Sequence, residues 1–166
     1  MKFKIFLASL VLSLVASVAF GGTVNVPNKR PLVTVNVPDA WEPEVTAKGV
    51  AIESPDQIAT LFFEAVASEK GMNALIEENI EWLTTDQGVK IIPASKKDLQ
   101  IVVGGIKSSL LEYEANNKEY GPSKVGFIFT PVDKGLLVIT YWIVNKGAQK
   151  HEATISKIFA SVKQVQ

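Results

Sequence analysis

The chain has 166 residues, 47% of them hydrophobic and 20% charged, with 17 basic residues against 17 acidic ones. That composition belongs to a globular domain, and the balanced charge argues against nucleic acid as a partner, since phosphate binding needs an excess of Lys and Arg on some face. The absence of cysteine and the single histidine exclude disulfides, thiolate metal sites, a thiol nucleophile, a lipidated N-terminal cysteine and any multi-histidine metal centre.

The N-terminus reads as an address. Lys2 and Lys4 precede the uncharged apolar run Ile5–Phe20, and small residues follow at Ala19, Gly21 and Gly22. A basic start, a short apolar stretch and a small-residue exit make a secretory signal peptide of residues 1–21, with cleavage expected after Gly21 or, alternatively, after Ala19. The run is about 16 residues long, short of the roughly 20 that a spanning helix needs, so no stable membrane insertion is expected after cleavage. Losing Lys2 and Lys4 takes the 17 basic residues to 15 against 17 acidic ones, a net charge of −2. The expected location is outside the cytoplasm, in a periplasm or the medium. About 145 residues then remain, enough to bury roughly 70% of the unfolded surface in one cysteine-free domain.

Residues 22–31 are rich in Gly, Pro and Asn and are expected to form a flexible lead-in to a single domain over 32–166. Thr23-Val24-Asn25-Val26-Pro27 recurs letter for letter at Thr34-Val35-Asn36-Val37-Pro38. Alternating valines read as short strands, each ended by its proline. The first copy then suits a sheet edge, an arm that adds to a partner's sheet, or a chance repeat. Strands are expected at Gly49–Glu53 and Ile58–Val66, with Ser54-Pro55-Asp56 as the turn between them. Met72, Leu75, Ile76, Ile80 and Leu83 fall on one face of a helix that Ser68 caps and Asp86-Gln87-Gly88 ends, with Trp82 beside that face.

After Gly88 the period becomes two, and strands are expected at Val89–Ile92, Leu99–Val103, Ile106–Ala115, Lys124–Thr130 and Leu136–Val144. The last is almost wholly apolar and should be a central strand covered on both faces, joined by a hairpin at Val132–Gly135 to the strand before it. Ile155, Ile158, Phe159 and Val162 make the apolar stripe of a closing helix. The expected class is α+β: an antiparallel sheet of about six strands flanked by two helices, connected by hairpins.

This order of pieces resembles the PsbP-like superfamily, which takes in an extrinsic photosystem subunit, a Ran-binding nuclear import factor and DcrB-like bacterial envelope proteins. The residues that carry the likeness are the strand ending at Pro38 with Trp41 three positions on, the Ser54-Pro55-Asp56 turn, the mid-chain helix and the closing Ile155-x-x-Ile158-x-x-Ser161 pattern. It spans nearly all of residues 32–163. The resemblance implies a sheet flanked by helices and an accessory role without catalysis; no Ran-contacting or photosystem-binding residue can be carried over. A helix-grip or cystatin-like fold is the alternative, though a helix-grip protein wants a longer closing helix and a roomy apolar cavity.

Chemical motifs are sparse. His151-Glu152-Ala153-Thr154-Ile155 starts like the zinc motif HExxH but has Ile155 where the second histidine belongs, and His151 reads as an exposed first-turn residue. Gly104-Gly105 reads as a hairpin turn in place of a phosphate loop, and Glu77, Glu78 and Glu81 as a solvated helix face. Glu112 and Glu114 share one sheet face, a pairing that a carboxylate-based hydrolase would use and that an exposed strand also shows. No catalytic, cofactor-binding or metal-binding residue is assigned, and no cofactor.

The candidate interaction residues are Trp41, Glu42, Glu44, Tyr113 and Tyr120, because interfaces favour rings with a polar edge. Trp41, in a Pro-flanked loop, suits either a binding surface or packing over the sheet edge; Trp142 belongs in the core. The expected function is that of an exported, non-catalytic accessory protein of the cell envelope with a protein partner. Alternatives are a carrier of a small apolar ligand between sheet and helix, and a carboxylate-based hydrolase.

Overall fold

The computed structural model describes residues 20–166, so the expected signal segment, up to residue 19, lies outside the described residues. In chain order the elements are β1 (Phe20–Val26), β2 (Val33–Pro38), β3 (Glu44–Val45), β4 (Gly49–Glu53), β5 (Ala59–Val66), α1 (Glu69–Glu81), β6 (Val89–Ile91) and β7 (Lys97–Val103). They continue as β8 (Ile106–Asn117), β9 (Gly121–Val132), β10 (Gly135–Val144), α2 (Glu152–Ala160) and β11 (Lys163–Gln164).

The apolar run foreseen as a central strand is β10, which pairs on one side with β5 and on the other with β9. Val138, Ile139, Thr140, Tyr141 and Trp142 are all buried, so both its faces are covered. Around it lies an eight-stranded sheet in the order β3-β4-β5-β10-β9-β8-β6, with β7 also paired to β8. Every ladder is antiparallel, and β7 to β10 form a meander. The class is α+β as expected, but the strand count is not: the described residues hold eleven strands in two sheets, not about six in one. The excess comes from two-residue strands that carry no periodic signal and from the N-terminal segment.

That segment is no flexible lead-in. Residues 22–26 belong to β1, which pairs antiparallel with β2 and so lays the first copy of the repeat against the second, with Val24 opposite Val35 and Val26 opposite Val33. Val26, Val33, Val35 and Val37 are buried, and this burial orders the segment. β11 adds on the other side of β2, completing a three-stranded sheet. The small sheet and α2 together cover one face of the large sheet, where Leu61, Phe63, Ile128 and Ile139 meet Val35 and Ile158.

α1 covers the other face. Ser68 caps it as expected, its Oγ accepting from the Gly71 N–H at 3.2 Å, and the chain leaves it through a wider π-type turn at Trp82–Asp86. The foreseen stripe is rolled, however. Leu75 and Leu83 are buried, whereas Ile80 is 37% exposed and Asn79 is 6% exposed. Asn79 lies one turn from each leucine and occupies the middle of the buried face.

α2 is short, nine residues, with Ile155, Ile158, Phe159 and the following Val162 all buried. The β7–β8 turn docks beneath it: the Gly104 N–H donates to the Phe159 carbonyl at 2.9 Å. A Cβ on Gly104 would lie 2.1 Å from the Val162 carbonyl oxygen, so this turn needs glycine for close approach as well as for its φ of +56°. Ile158→Ala is expected to remove about 2–5 kcal/mol of unfolding free energy through a cavity between the helix and both sheets. Urea denaturation checks this, and an unchanged midpoint would contradict the packing.

Candidate functional site

α1 and the turn after it lie over β5 and β10, and their roll is held by a buried polar clasp. The Asn79 carboxamide nitrogen donates to Glu64 Oε2 on β5 at 2.8 Å and to Thr140 Oγ1 on β10 at 3.0 Å. Burial pushes the Glu64 carboxyl above its ordinary range, the nearby Glu78 charge adds to this, and the Asn79 bond and the Lys48 charge oppose it. Lys48 in turn forms an ion pair with Glu78 on the outer face of α1.

Because α1 sits along the middle of this face, a groove remains on either side of it. On the β4 side is a cleft of about 750 Å³. Glu44, Ala51 and Phe62 lie across β3, β4 and β5 in register, followed by Glu53 beside Thr60, and all line it. Glu42, whose φ of 34° turns the chain out of the short 3-10 turn at Asp39–Trp41, adds a third carboxylate. The opposite wall is Trp82, which meets Phe62 edge to face at a centroid distance of 4.9 Å, and Gln87. Among the described residues no lysine or arginine lines this cleft. Chemically it offers anionic and amide acceptors over an aromatic corner, which suits a cationic group on an apolar stem. On the β8 and β9 side of α1 is a second groove, almost wholly apolar.

The five candidate residues from the sequence do not form one surface. Glu42 and Glu44 line the acidic cleft. Of the two readings of Trp41, a binding surface or packing at the sheet edge, its burial favours packing: it is 3% exposed and lies in the core between the two sheets, beneath the surface that Glu42 begins. Its edge meets the His151 ring at 5.4 Å. His151 is likewise not an exposed first-turn residue. It sits at the N-cap of α2, its side chain 13% exposed, and Nε2 lies 2.8 Å from Asp56 Oδ1 in the β4–β5 turn. Partial desolvation acts to raise the Asp56 carboxyl, but bonds from Ser54 and His151, the His151 charge and the Ile58 backbone hold it below the usual range. Tyr113 lines the apolar groove. Tyr120 stacks edge to face on Trp142 and reaches toward Gln57 at 3.5 Å, behind the acidic cleft.

Glu112 and Glu114 are parted by their partners. Glu112 accepts from Tyr141 Oη at 2.7 Å and pairs with Lys124 at 3.3 Å, while Glu114 pairs with Lys97 at 3.4 Å. Burial, then the Glu112 bond and charge, push the Tyr141 hydroxyl far above its ordinary range and keep it a neutral donor. The Tyr141 ring lies where a Cβ on Gly126 would be, 2.1 Å from Cζ, so the glycine makes room for it. Glu53, Phe62, Trp82 and Gln87 went unforeseen as cleft residues because only the β3–β4–β5 register and the π-type turn bring them together. Asn79 did carry a signal: a polar residue one turn from each of two leucines on the stripe.

No family model matches the sequence, and no curated protein matches it. Among solved structures, the chain is similar to cyanobacterial PsbP (CyanoP) from Synechocystis sp. PCC 6803, with a TM-score of 0.54 and 8% identity over 91% of this chain and 99% of that one. It is also similar to LpqN, involved in cell envelope biogenesis of Mycobacterium tuberculosis, with a TM-score of 0.50 and 10% identity over 87% of this chain and 91% of that one. A protein of Bacteroides thetaiotaomicron VPI-5482 gives a TM-score of 0.53 and 13% identity over 81% of this chain; the match spans 46% of that longer chain, about half its length. The fold is therefore the PsbP-like one. The likeness is one of fold, since identity is this low. Among the described residues no helix is long and apolar enough to cross a membrane.

The clasp predicts a pH signature. A buried carboxyl whose folded pKa exceeds its unfolded value of about 4.5 makes the native state bind the extra proton, so stability falls as pH rises from 4.5 through the folded pKa. Glu64→Gln keeps an acceptor for Asn79 and removes this loss. The variant should melt above the wild type at pH 8, with the gap closing toward pH 4.5; parallel melting curves across that range would refute the assignment.

Proposed function

We propose that this is a non-catalytic accessory protein of the cell envelope whose acidic cleft recognises a basic segment of a protein partner. The single observation that carries the reading is the convergence of Glu42, Glu44 and Glu53 on the Phe62–Trp82 corner, with no cation among the described residues of the lining. Such a cleft holds the aliphatic stem of a Lys or Arg against the rings while the carboxylates take its charge. The adjoining edge favours an extended partner: β3 covers only Val50 and Ala51 of β4, and among the described residues no strand pairs with Ile52 and Glu53 on that side.

Placement in the envelope rests on the export signature of residues 1–21, and LpqN, which shares the fold, is a protein of envelope biogenesis. The non-catalytic reading is supported by where the reactive groups lie. The one histidine is tied to Asp56 and Trp41, and Glu112 and Glu114 each hold a lysine in place of facing one another across a cleft.

The test replaces Glu42, Glu44 and Glu53 together by glutamine and compares recovery of partners from envelope extract by quantitative mass spectrometry. The wild type should enrich a discrete partner about tenfold or more over the variant, with the difference shrinking as salt rises, because exposed charge pairs are screened. Equal recovery at low salt would remove the cleft from the function. Trp41→Ala, by contrast, should cost about 3–5 kcal/mol of stability by emptying a core site. A variant that melts like the wild type would return Trp41 to the surface.

A further inference from the structure

We propose that the outer edge of β7 is a dimerisation surface, on which β7 of a second copy of this chain adds antiparallel about a two-fold axis at Gln100. β7 pairs with β8 on one side, and among the described residues no strand pairs with the other. The two-residue turn Gly104-Gly105, both residues at positive φ, joins β7 to β8, so Val103 and Ile106 exchange the closing hydrogen bonds. The alternation then turns the N–H and C=O of Leu99 and Ile101 inward and those of Asp98, Gln100 and Val102 outward. Glu114, an even count along β8 from Ile106, agrees with this phase: on the β7 side of β8 its N–H donates to Ser95 Oγ and its C=O accepts from the Ile92 N–H. The ladder from Lys97 to Val103 has no register shift, and Leu99–Val103 holds no charge and no proline, so it lacks the devices by which edge strands stay unpaired. Leu99 is 43% exposed and Val102 59% exposed.

What covers this edge follows from its chemistry. A row of backbone donors and acceptors calls for an extended strand. Leu99 and Ile101 stand on the α2 side of the sheet, opposite Leu110 and Ser108, so that strand must bring apolar residues to the same side. β7 itself does so. About a two-fold axis at Gln100, normal to the sheet, Leu99 of each copy lies opposite Ile101 of the other. Gln100 lies opposite Gln100, and each carboxamide can donate and accept. The outward groups of Asp98 meet those of Val102, so all seven residues of each strand are paired. Charge fixes this register. Lys97 and Asp98 lie opposite Val103 and Val102, at the two far ends of the ladder, and Asp98 keeps its own Lys96 at 3.4 Å. Sliding the axis back to Asp98 or Lys97 would set like charges face to face. The uncharged centres of the two strands therefore cover each other.

The test is sedimentation equilibrium of the purified chain over about 1–300 µM. One strand pairing is a small contact, so a reversible dimer with a Kd of about 1–100 µM is expected. Gln100→Pro removes one outward N–H, a loss that an edge strand tolerates, and should weaken dimerisation by about tenfold or more. Its melting temperature at low concentration should stay near that of the wild type. Leu99→Lys, at an exposed position, should weaken the dimer similarly by setting a charge against Ile101. The chain has no cysteine, so introduced thiols report the register. Cα atoms of a hydrogen-bonded pair lie about 5.5 Å apart, within disulfide reach, so Gln100→Cys should cross-link two chains under mild oxidation. Leu99→Cys, facing Ile101, should cross-link far more slowly. The glutamine variant of the acidic cleft should dimerise as the wild type does, which separates this proposal from the cleft's. Three outcomes would overturn it: a chain monomeric up to about 300 µM, a dimer that survives both Gln100→Pro and Leu99→Lys, or equal cross-linking of the two cysteine variants. Loss of the dimer in the acidic-cleft variant would overturn it too.

Discussion

The Asn79 carboxamide, held between Glu64 and Thr140, is the constraint on which the functional face depends. A leucine there would bury more apolar area, yet apolar contact is non-directional and would let α1 settle at several rolls over β5 and β10. Two directed bonds to two strands select one. That roll turns Ile76 and Ile80 to one side and delivers Trp82, one turn later, to the other. The cost is a carboxyl taken out of water beside Glu78, relieved in part by Lys48. Buried polar groups retained in this way trade stability for a defined geometry.

The large sheet supplies the second requirement, a core on both sides of β10. The small sheet and α2 cover most of one side, leaving a recess of about 450 Å³ beside α2 over Tyr141, and α1 covers only the middle of the other. The unequal cover explains why grooves of opposite chemistry lie side by side: the β4 edge ends in glutamates from a loop and a hairpin, while the meander keeps its aromatic and aliphatic floor.

Much of this was legible in the sequence. The strand at Gly49–Glu53, the run at Leu136–Val144 with its hairpin at Val132–Gly135, and the Ser68 cap all follow from local pattern, because each depends on neighbours in the chain. The PsbP-like order of elements was legible for the same reason. What depends on distant pairing was not. β3 and β11 are two residues each and exist only through β4 and β2. Trp41 has the flanks of a surface loop, yet its ring drops between the sheets onto His151. Of the cleft, Glu42 and Glu44 could be named in advance, but Glu53, Phe62 and Trp82 join them only once three strands are in register.

The two copies of Thr-Val-Asn-Val-Pro have one more implication. In their ladder, threonine faces asparagine and valine faces valine whichever copy is read first: Thr23 lies opposite Asn36, Val24 opposite Val35 and Asn25 opposite Thr34. The Thr-Val-Asn core of the pentapeptide is thus its own complement when reversed, like a molecular palindrome, while Val26 and Val37 pair outside the copies, with Val33 and Gly22. Repeating that core matches three residue pairs across the hairpin. Context sets the two copies apart: Lys163 docks against Thr34, so one copy becomes an inner strand and its twin the rim.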